Sequence, residues 1–298
     1  IFFLNNLITA SFLPMVVYIL GEIGMLNINT NYGAAFAANA AKRTTGDLDS
    51  AMEKLSSGLR INHSRDDAAG LAISSRISAE LQGLAMASRN AGDAQSMIDT
   101  ADGALAEQHT VLLRMRELSV QASNDTLVAA DRTALDAEFQ QLEAELDRIA
   151  HNTEWAGENI LDGVTTSRKF QIGVRGTTDD LLTVAFADMD ASALSLNANG
   201  ITDQGGARTA ITDVDAAIAT VSSKRAEFGA HSNRLESTMN NLDQIVVNLT
   251  ASQGRIQDTD FAKETGNLAK AQIMRQAATA MVAQANVSQS SVLTLLRG

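Results

Sequence analysis

The sequence predicts a mainly α protein: an elongated helical bundle or coiled coil of long antiparallel helices, carrying one small β-hairpin. Three observations lead there. Ile77, Leu84, Ala87, Ala91, Ala94, Ile98, Ala101 and Leu105 follow one another at alternating steps of three and four after an initial step of seven, and Leu112 and Met115 continue the stripe. That is the a/d seam of a helix packed lengthwise on another helix. Proline occurs once, at Pro14, and aromatics make up 4% of residues, so the core must come from Ala, Leu, Ile, Val and Met on helical faces. Two short neighbouring runs between 170 and 186 alternate as strands do.

Residues 1–24, IFFLNNLITASFLPMVVYILGEIG, stand apart from the rest of the chain. They hold no Lys or Arg, and Asn5, Asn6 and Pro14 interrupt the apolar run, so neither a secretory signal nor a membrane span is well formed. The expectation is an apolar extension of upstream translated sequence, with a membrane or export segment as the alternative. From Met25 to about Thr45 the Asn/Ala-rich chain suits a helix with a small-residue face. Asp47 is expected to cap a clearer run in which Leu48, Met52, Leu55 and Leu59 step four, three and four. Gly58 interrupts it, and Arg60, Arg65, Asp66 and Asp67 form a polar joint. The joint reads either as solvated charges between two helices or as a spoke touching a neighbouring copy.

The seam helix runs from about Leu71 to Ala122, roughly 75 Å at ~1.5 Å per residue. Half of its seam positions are Ala, which lets a neighbouring helix approach closely. After a turn at Asn124-Asp125-Thr126, Leu135, Phe139, Leu142, Leu146 and Ile149 mark a helix expected antiparallel to it. His151 to Val164 reads as an ordered loop. Phe170, Ile172 and Val174, then Leu182, Val184 and Phe186, flank Gly176-Thr177-Thr178-Asp179 and predict a hairpin over 168–187 that lies against the bundle. The stretch 192–206 is polar, Asn/Gly-rich and expected at the surface. A fourth long helix begins near Ala207, with Ile211, Val214, Ile218, Val221, Phe228, Leu235, Met239 and Leu242 on its seam, Arg225 and Ser232 interrupting it, and Gly254 as its break. A last helix covers about 261–296, with Leu268, Ala271, Met274, Ala278, Met281 and Ala285 on one face, and its apolar end includes Leu295 and Leu296. Left in water, that end would be costly.

The net charge of −12, with no concentrated basic face, argues against nucleic acid as a partner. Without cysteine there are no disulfides, thiolate metal sites or cysteine nucleophiles. His63, His109, His151 and His231 sit on separate elements without metal-ligand spacing, and no H-E-x-x-H, G-x-S-x-G, P-loop or G-x-G-x-x-G occurs. Asp66-Asp67 and Asp179-Asp180 read as turn carboxylates. No enzyme and no cofactor is expected.

Three blocks carry a family resemblance: MLNINTN with LSSGLRINHSRDDAAGLAIS, then RMRELSVQASNDT, then GRIQDTDFAKETGNLAKAQIMRQAATAMVAQANVSQSSVLTLLRG. Through them Met25 to Gly298 resembles bacterial flagellin, most weakly across 190–206. The resemblance implies a subunit that self-assembles into the extracellular flagellar filament for motility. It implies a terminal coiled-coil (inner-tube) domain from 25–68 and 255–298, with Leu48, Met52, Leu55, Leu59, Leu268, Met274, Met281, Leu295 and Leu296 in packing. An outer-tube domain would cover 69–254. The segment between hairpin and fourth helix is too short for the β-domains inserted in larger members, so a smooth filament of the minimal two-domain type is expected. Further implied partners are the flagellar export apparatus, a secretion chaperone, and hook-associated junction and cap proteins. By the same resemblance, Arg114, Leu118 and Glu138 match positions read by the flagellin-sensing Toll-like receptor. The alternatives are a homologue acting as a cell-surface binding or minor filament-junction protein, and a helical protein tethered to a membrane by residues 1–24.

Overall fold

A computed structural model describes residues 30–297, except 165, 166 and 198 and the side chains of 289 and 292–297. The extension 1–24 and the side chains of Leu295 and Leu296 therefore lie outside the described residues. Among those described, five long α-helices carry the fold: α1 (Tyr32–Ser57), α2 (Ala68–Ala122), α3 (Ala129–Asn152), α4 (Gln204–Gln257) and α5 (Phe261–Arg297). Two antiparallel strand pairs complete it, β1 (Glu154–Trp155) with β2 (Glu158–Asn159) and β3 (Ser167–Gln171) with β4 (Leu181–Ala185). The expected mainly helical class with a small hairpin is what the chain adopts.

The chain forms two compact units. Unit 1 gathers the residues up to Leu71 and from Ile256 onward; unit 2 is Ala72–Arg255. Charge divides unevenly between them. Unit 1 has 9 acidic and 9 basic residues, whereas unit 2 has 26 acidic and 14 basic, so the whole formal −12 resides in unit 2.

In unit 1, α1 packs along α5. Ala37, Thr44, Leu48 and Ala51 are buried on α1, facing buried Ala271 and Ala278 on α5. Small side chains at these positions bring the two backbones close, and Asn31 Nδ2 reaches the Ala285 carbonyl at 3.1 Å. Asp47 does not cap a helix, because α1 starts fifteen residues earlier. Asn31 is the cap, its Oδ1 accepting the Ala34 N–H at 2.9 Å, and Ala-rich sequence carries the helix through. Gly58 ends α1 in the left-handed region (φ 72°), its N–H bonded to the Lys54 carbonyl.

In unit 2, every seam residue expected on α2 from Ile77 to Met115 is buried. Partners lie on both sides. On α4, Gln95 Nε2 meets Ser232 Oγ at 3.0 Å, and Arg225 Nε meets Asp102 at 2.9 Å. On α3, Arg114 meets Glu138, and the buried Gln108 Nε2 reaches the Leu146 carbonyl. Residue numbers rise on α2 as they fall on either partner, so both pairings are antiparallel. The rest of the core includes Phe139, Leu146, Leu161, Phe186 and Phe228, with the Phe186 and Phe228 rings 5.5 Å apart. At the far end of α2, Arg132 donates to the Ala122 and Asn124 carbonyls (3.0 and 2.9 Å) and Gln204 Nε2 to the Ser123 carbonyl (3.0 Å), satisfying acceptors that a helix end leaves open.

Four expectations need correction. Gly254 does not break α4, which continues to Gln257; the stop comes there, and Asp260 Oδ1 then accepts the Ala262 and Lys263 N–H groups to start α5. The loop expected from His151 contains a two-residue hairpin, with Ala156 (φ 53°) and Gly157 (φ 83°) supplying its left-handed turn. In the larger hairpin the first strand ends at Gln171. Residues 172–180 instead wrap round Asp180, whose carboxylate accepts the Arg175 N–H at 2.8 Å. Finally, the 192–206 stretch is not a surface loop throughout, since Leu194, Leu196, Asn199 and Ile201 are buried.

Candidate functional site

Three arrangements bear on function: the joint in unit 1, the outer faces of α1 and α5, and the Arg114 cluster in unit 2.

The joint is built from the polar residues between α1 and α2. Asp66 Oδ2 accepts the N–H groups of Asn62 (3.1 Å) and His63 (3.0 Å). Those backbone donors, His63 first, hold its carboxyl below the usual range. Asp67 Oδ1 caps α2 by accepting the Gly70 N–H at 2.8 Å. Arg60 bonds twice to the returning chain, through its N–H to the Gln257 carbonyl (2.7 Å) and through Nη2 to the Ile256 carbonyl (2.5 Å). Thr259 N–H closes the ladder on the Gly58 carbonyl at 3.0 Å, beside the Leu59–Asp258 bridge. Arg60, Asp66 and Asp67 thus find partners within unit 1. Arg65 only approaches Glu53 and Asp66, at 3.8 and 3.9 Å, and its side chain is 73% exposed.

The outer faces of α1 and α5 are apolar. Of the expected packing residues, Leu48 is buried, Leu55, Leu59 and Leu268 are half-buried, and Met52, Met274 and Met281 are exposed. Thr44, Leu48 and Ala51 form the inner stripe of α1, leaving Met52 one position off it. On α5 the buried Ala271 and Ala278 define the inner stripe; Met274 and Met281 lie beside it and Ile273 and Val287 further round, all four in solvent. Tyr32, Phe36 and Phe261 extend the exposed apolar surface of unit 1. An isolated exposed apolar side chain is ordinary, but several gathered on one unit mark an interaction site.

In unit 2, Arg114 holds Glu138 Oε1 through both Nε (3.0 Å) and Nη2 (2.8 Å), and Glu117 through Nη1 (3.0 Å). These bonds, Glu138's foremost, push the guanidinium pKa further up, so it stays charged. Arg114 and Glu138 remain about half exposed. Leu118, one turn on, is wholly buried in the core, so a protein approaching this face meets the ion pair and not the leucine.

A polar stripe on α3 was not visible in the sequence. Asp136, Gln140, Glu143 and Asp147 recur every three or four residues and face the chain leading into α4. Asp136 accepts the Ile201 N–H and Asp147 the Ala191 N–H, both at 2.8 Å, while Gln140 Nε2 donates to the Asn199 carbonyl at 3.2 Å. Glu143 lies between them with Oε2 buried and unbonded. Burial pushes its pKa up, and Asp147 and Asp136 push it further. Only the i, i+4, i+7, i+11 spacing of these polar residues on an otherwise amphipathic helix could have revealed the stripe. Among the described residues no group of three or more His, Asp and Glu is placed to hold a metal ion, and no helix is long and apolar enough to cross a membrane.

Comparison with known proteins matches residues 28–166 to the bacterial flagellin N-terminal helical region and 211–296 to the bacterial flagellin C-terminal helical region. A flagellin of Halalkalibacterium halodurans is 47% identical over 249 residues, covering 83% of this chain and 91% of that protein. The flagellar filament 33 kDa core protein of Treponema phagedenis is 41% identical, covering 91% and 99% of the two chains. The flagellin of Bacillus subtilis is 42% identical, covering 91% and 100%. Both ends of the fold and nearly the full length of these relatives are therefore shared, and the chain belongs to the bacterial flagellin family.

Proposed function

We propose that this chain is a structural subunit that polymerises into an extracellular flagellar filament, and that unit 1 makes the innermost subunit contacts. The observation that carries this reading is the set of exposed apolar side chains on α5, Ile273, Met274, Met281 and Val287, on a helix whose Ala271–Ala278 stripe is already occupied by α1. Stacked copies would remove that surface from water, each fully buried large aliphatic side chain contributing roughly 1.5–3 kcal/mol. The inner tube then comprises 25–68 with 255–298, and the outer tube 69–254. Arg65, exposed at the joint, is the charge best placed to touch a neighbouring copy.

We extend the same reading to export through the flagellar secretion apparatus with a chaperone, to contact with hook-associated junction and cap proteins, and to a structural role; membership of the family supports it. The Arg114–Glu138 pair is the part of the receptor-recognition pattern that a receptor can reach on the folded subunit.

The test is seeded growth from short filament fragments, followed by electron microscopy, for the full chain and for a version beginning at Met25. Smooth filaments from either support the reading. If neither grows, the filament reading is wrong, and a surface-binding role for a monomeric homologue replaces it.

A further inference from the structure

We propose that Met274 and Met281 form a modification site: hydroperoxides convert their thioethers to sulfoxides in the unassembled subunit and so block its entry into the filament. The proposal rests on the filament reading.

Met274 and Met281 are 49% and 63% exposed and lie seven residues apart on an uninterrupted helix, which puts both on one face. Ile273 (65%) and Val287 (59%) are exposed on the other side of the same helix, and both sulfurs belong with them to the apolar surface assigned to subunit contact. By contrast Met97, Met115 and Met189 are at most 2% exposed in the core of unit 2. Exposure therefore sorts the methionines of one chain into reactive and shielded sets. Met86, also exposed, lies on α2 outside that surface and serves as an internal comparison.

The chemistry is a two-electron oxygen transfer. A sulfur lone pair attacks one peroxide oxygen, a sulfur–oxygen bond forms and the O–O bond breaks. The sulfur is oxidised to the sulfoxide and hydrogen peroxide is reduced to water. A flexible apolar side chain becomes polar and chiral, and reduction by methionine sulfoxide reductases reverses the change. Burying a sulfoxide in an apolar contact leaves its oxygen without a donor, which lowers association by roughly tenfold or more per site. Once copies are stacked the same sulfurs are covered, so the filament resists what the free subunit does not. Oxidative damage is thereby screened before incorporation.

The experiment treats unassembled chain and preformed filaments with dilute hydrogen peroxide and follows each methionine by peptide mass spectrometry. In the unassembled chain Met274 and Met281 should oxidise roughly tenfold or more faster than Met97, Met115 and Met189, and their rates should fall about as much in filaments. Oxidised subunits should extend seeds at least about tenfold more slowly, and reductase treatment should restore growth. The double variant Met274→Leu, Met281→Leu, made together with Met52→Leu, should grow equally with and without peroxide although Met86 still oxidises. If that variant grows poorly untreated, peptide kinetics and reductase rescue of the unaltered chain decide the matter. Unimpaired growth of the oxidised chain overturns the proposal alone, as does equal peroxide sensitivity of the leucine variant. No growth of the untreated chain overturns the filament reading and the proposal with it.

Discussion

Asp102 on α2 and Arg225 on α4 form an ion pair at 2.9 Å, and one heptad away Gln95 meets Ser232 in the same register. Between and beyond them the α2 seam is largely alanine: Ala87, Ala91, Ala94 and Ala101. Small side chains interlock poorly along a seam, so apolar packing alone would tolerate a slip. A slip of seven residues on either helix breaks both polar contacts at once, and these residues therefore set the register.

Asp102→Ala should leave Arg225 without its partner and lower unit 2 stability modestly. Each side chain is 38% exposed, so solvent screens the pair, and the coupling expected from a double-mutant cycle is about 0.5 kcal/mol. The swapped pair Asp102→Arg, Arg225→Asp should recover part of the loss in a urea-melt comparison. A swap worse than the sum of its single changes would exclude pairing as the role of these residues.

Glycine-to-alanine changes should differ in sign along α2. A Cβ at Gly103 meets nothing within 4 Å, so Gly103→Ala should stabilise by about 0.5–1 kcal/mol through helix propensity. At Gly70 a Cβ would lie 2.5 Å from the Asp67 carboxylate and 2.7 Å from Ile61 Cδ1, displacing the capping side chain and a buried one. Gly70→Ala should therefore destabilise by about 1–3 kcal/mol. Thermal melts monitored by circular dichroism give both signs.

Glu143 should make unit 2 less stable as pH rises. Its folded pKa is raised above its unfolded value, so the folded state binds the proton more tightly. Stability from this group is complete below the ordinary glutamate range and is lost as pH climbs through the raised folded value. Glu143→Gln should remove that loss, and the variant's advantage over the unaltered chain should be larger at pH 7 than at pH 4. Asp66 in unit 1 works in the opposite direction. Its folded pKa is lowered, so its contribution is present above the ordinary aspartate range and disappears as pH falls through the folded value. An Asp66→Asn variant whose deficit is the same at pH 7 and pH 2.5 would rule this out.

Phe228→Ala should cost unit 2 about 3–5 kcal/mol, because the ring is 1% exposed and packs at a tilt against Phe186 within the main core. Guanidinium titration of the variant measures it.

The long helices were legible because their information is local and repeated. Ile77 through Met115 obey one period, and the structure buries all of them. What escaped was carried by single side chains acting across the fold. Leu194, Leu196 and Ile201 are too few and too irregular to read as core, and they are held in place by Asp136, Gln140 and Asp147 on another helix. Leu118 occupies a motif position that the family resemblance marks for recognition, yet the helical period places it in the core beside Met115 and Leu112. Gly254 reads as a stop because glycine weakens a helix, but one glycine costs only about 1 kcal/mol, which the packed helix around it overcomes.

Because unit 2 holds the entire formal charge of −12, copies brought side by side repel through that unit while unit 1, with balanced charges, does not. The repulsion reaches about 30 Å in a medium of 0.01 M salt and about 8 Å at 0.15 M. Seeded filament growth is therefore expected to be slower at about 0.01 M than at about 0.15 M salt, and equal rates would show that this repulsion is not felt on assembly.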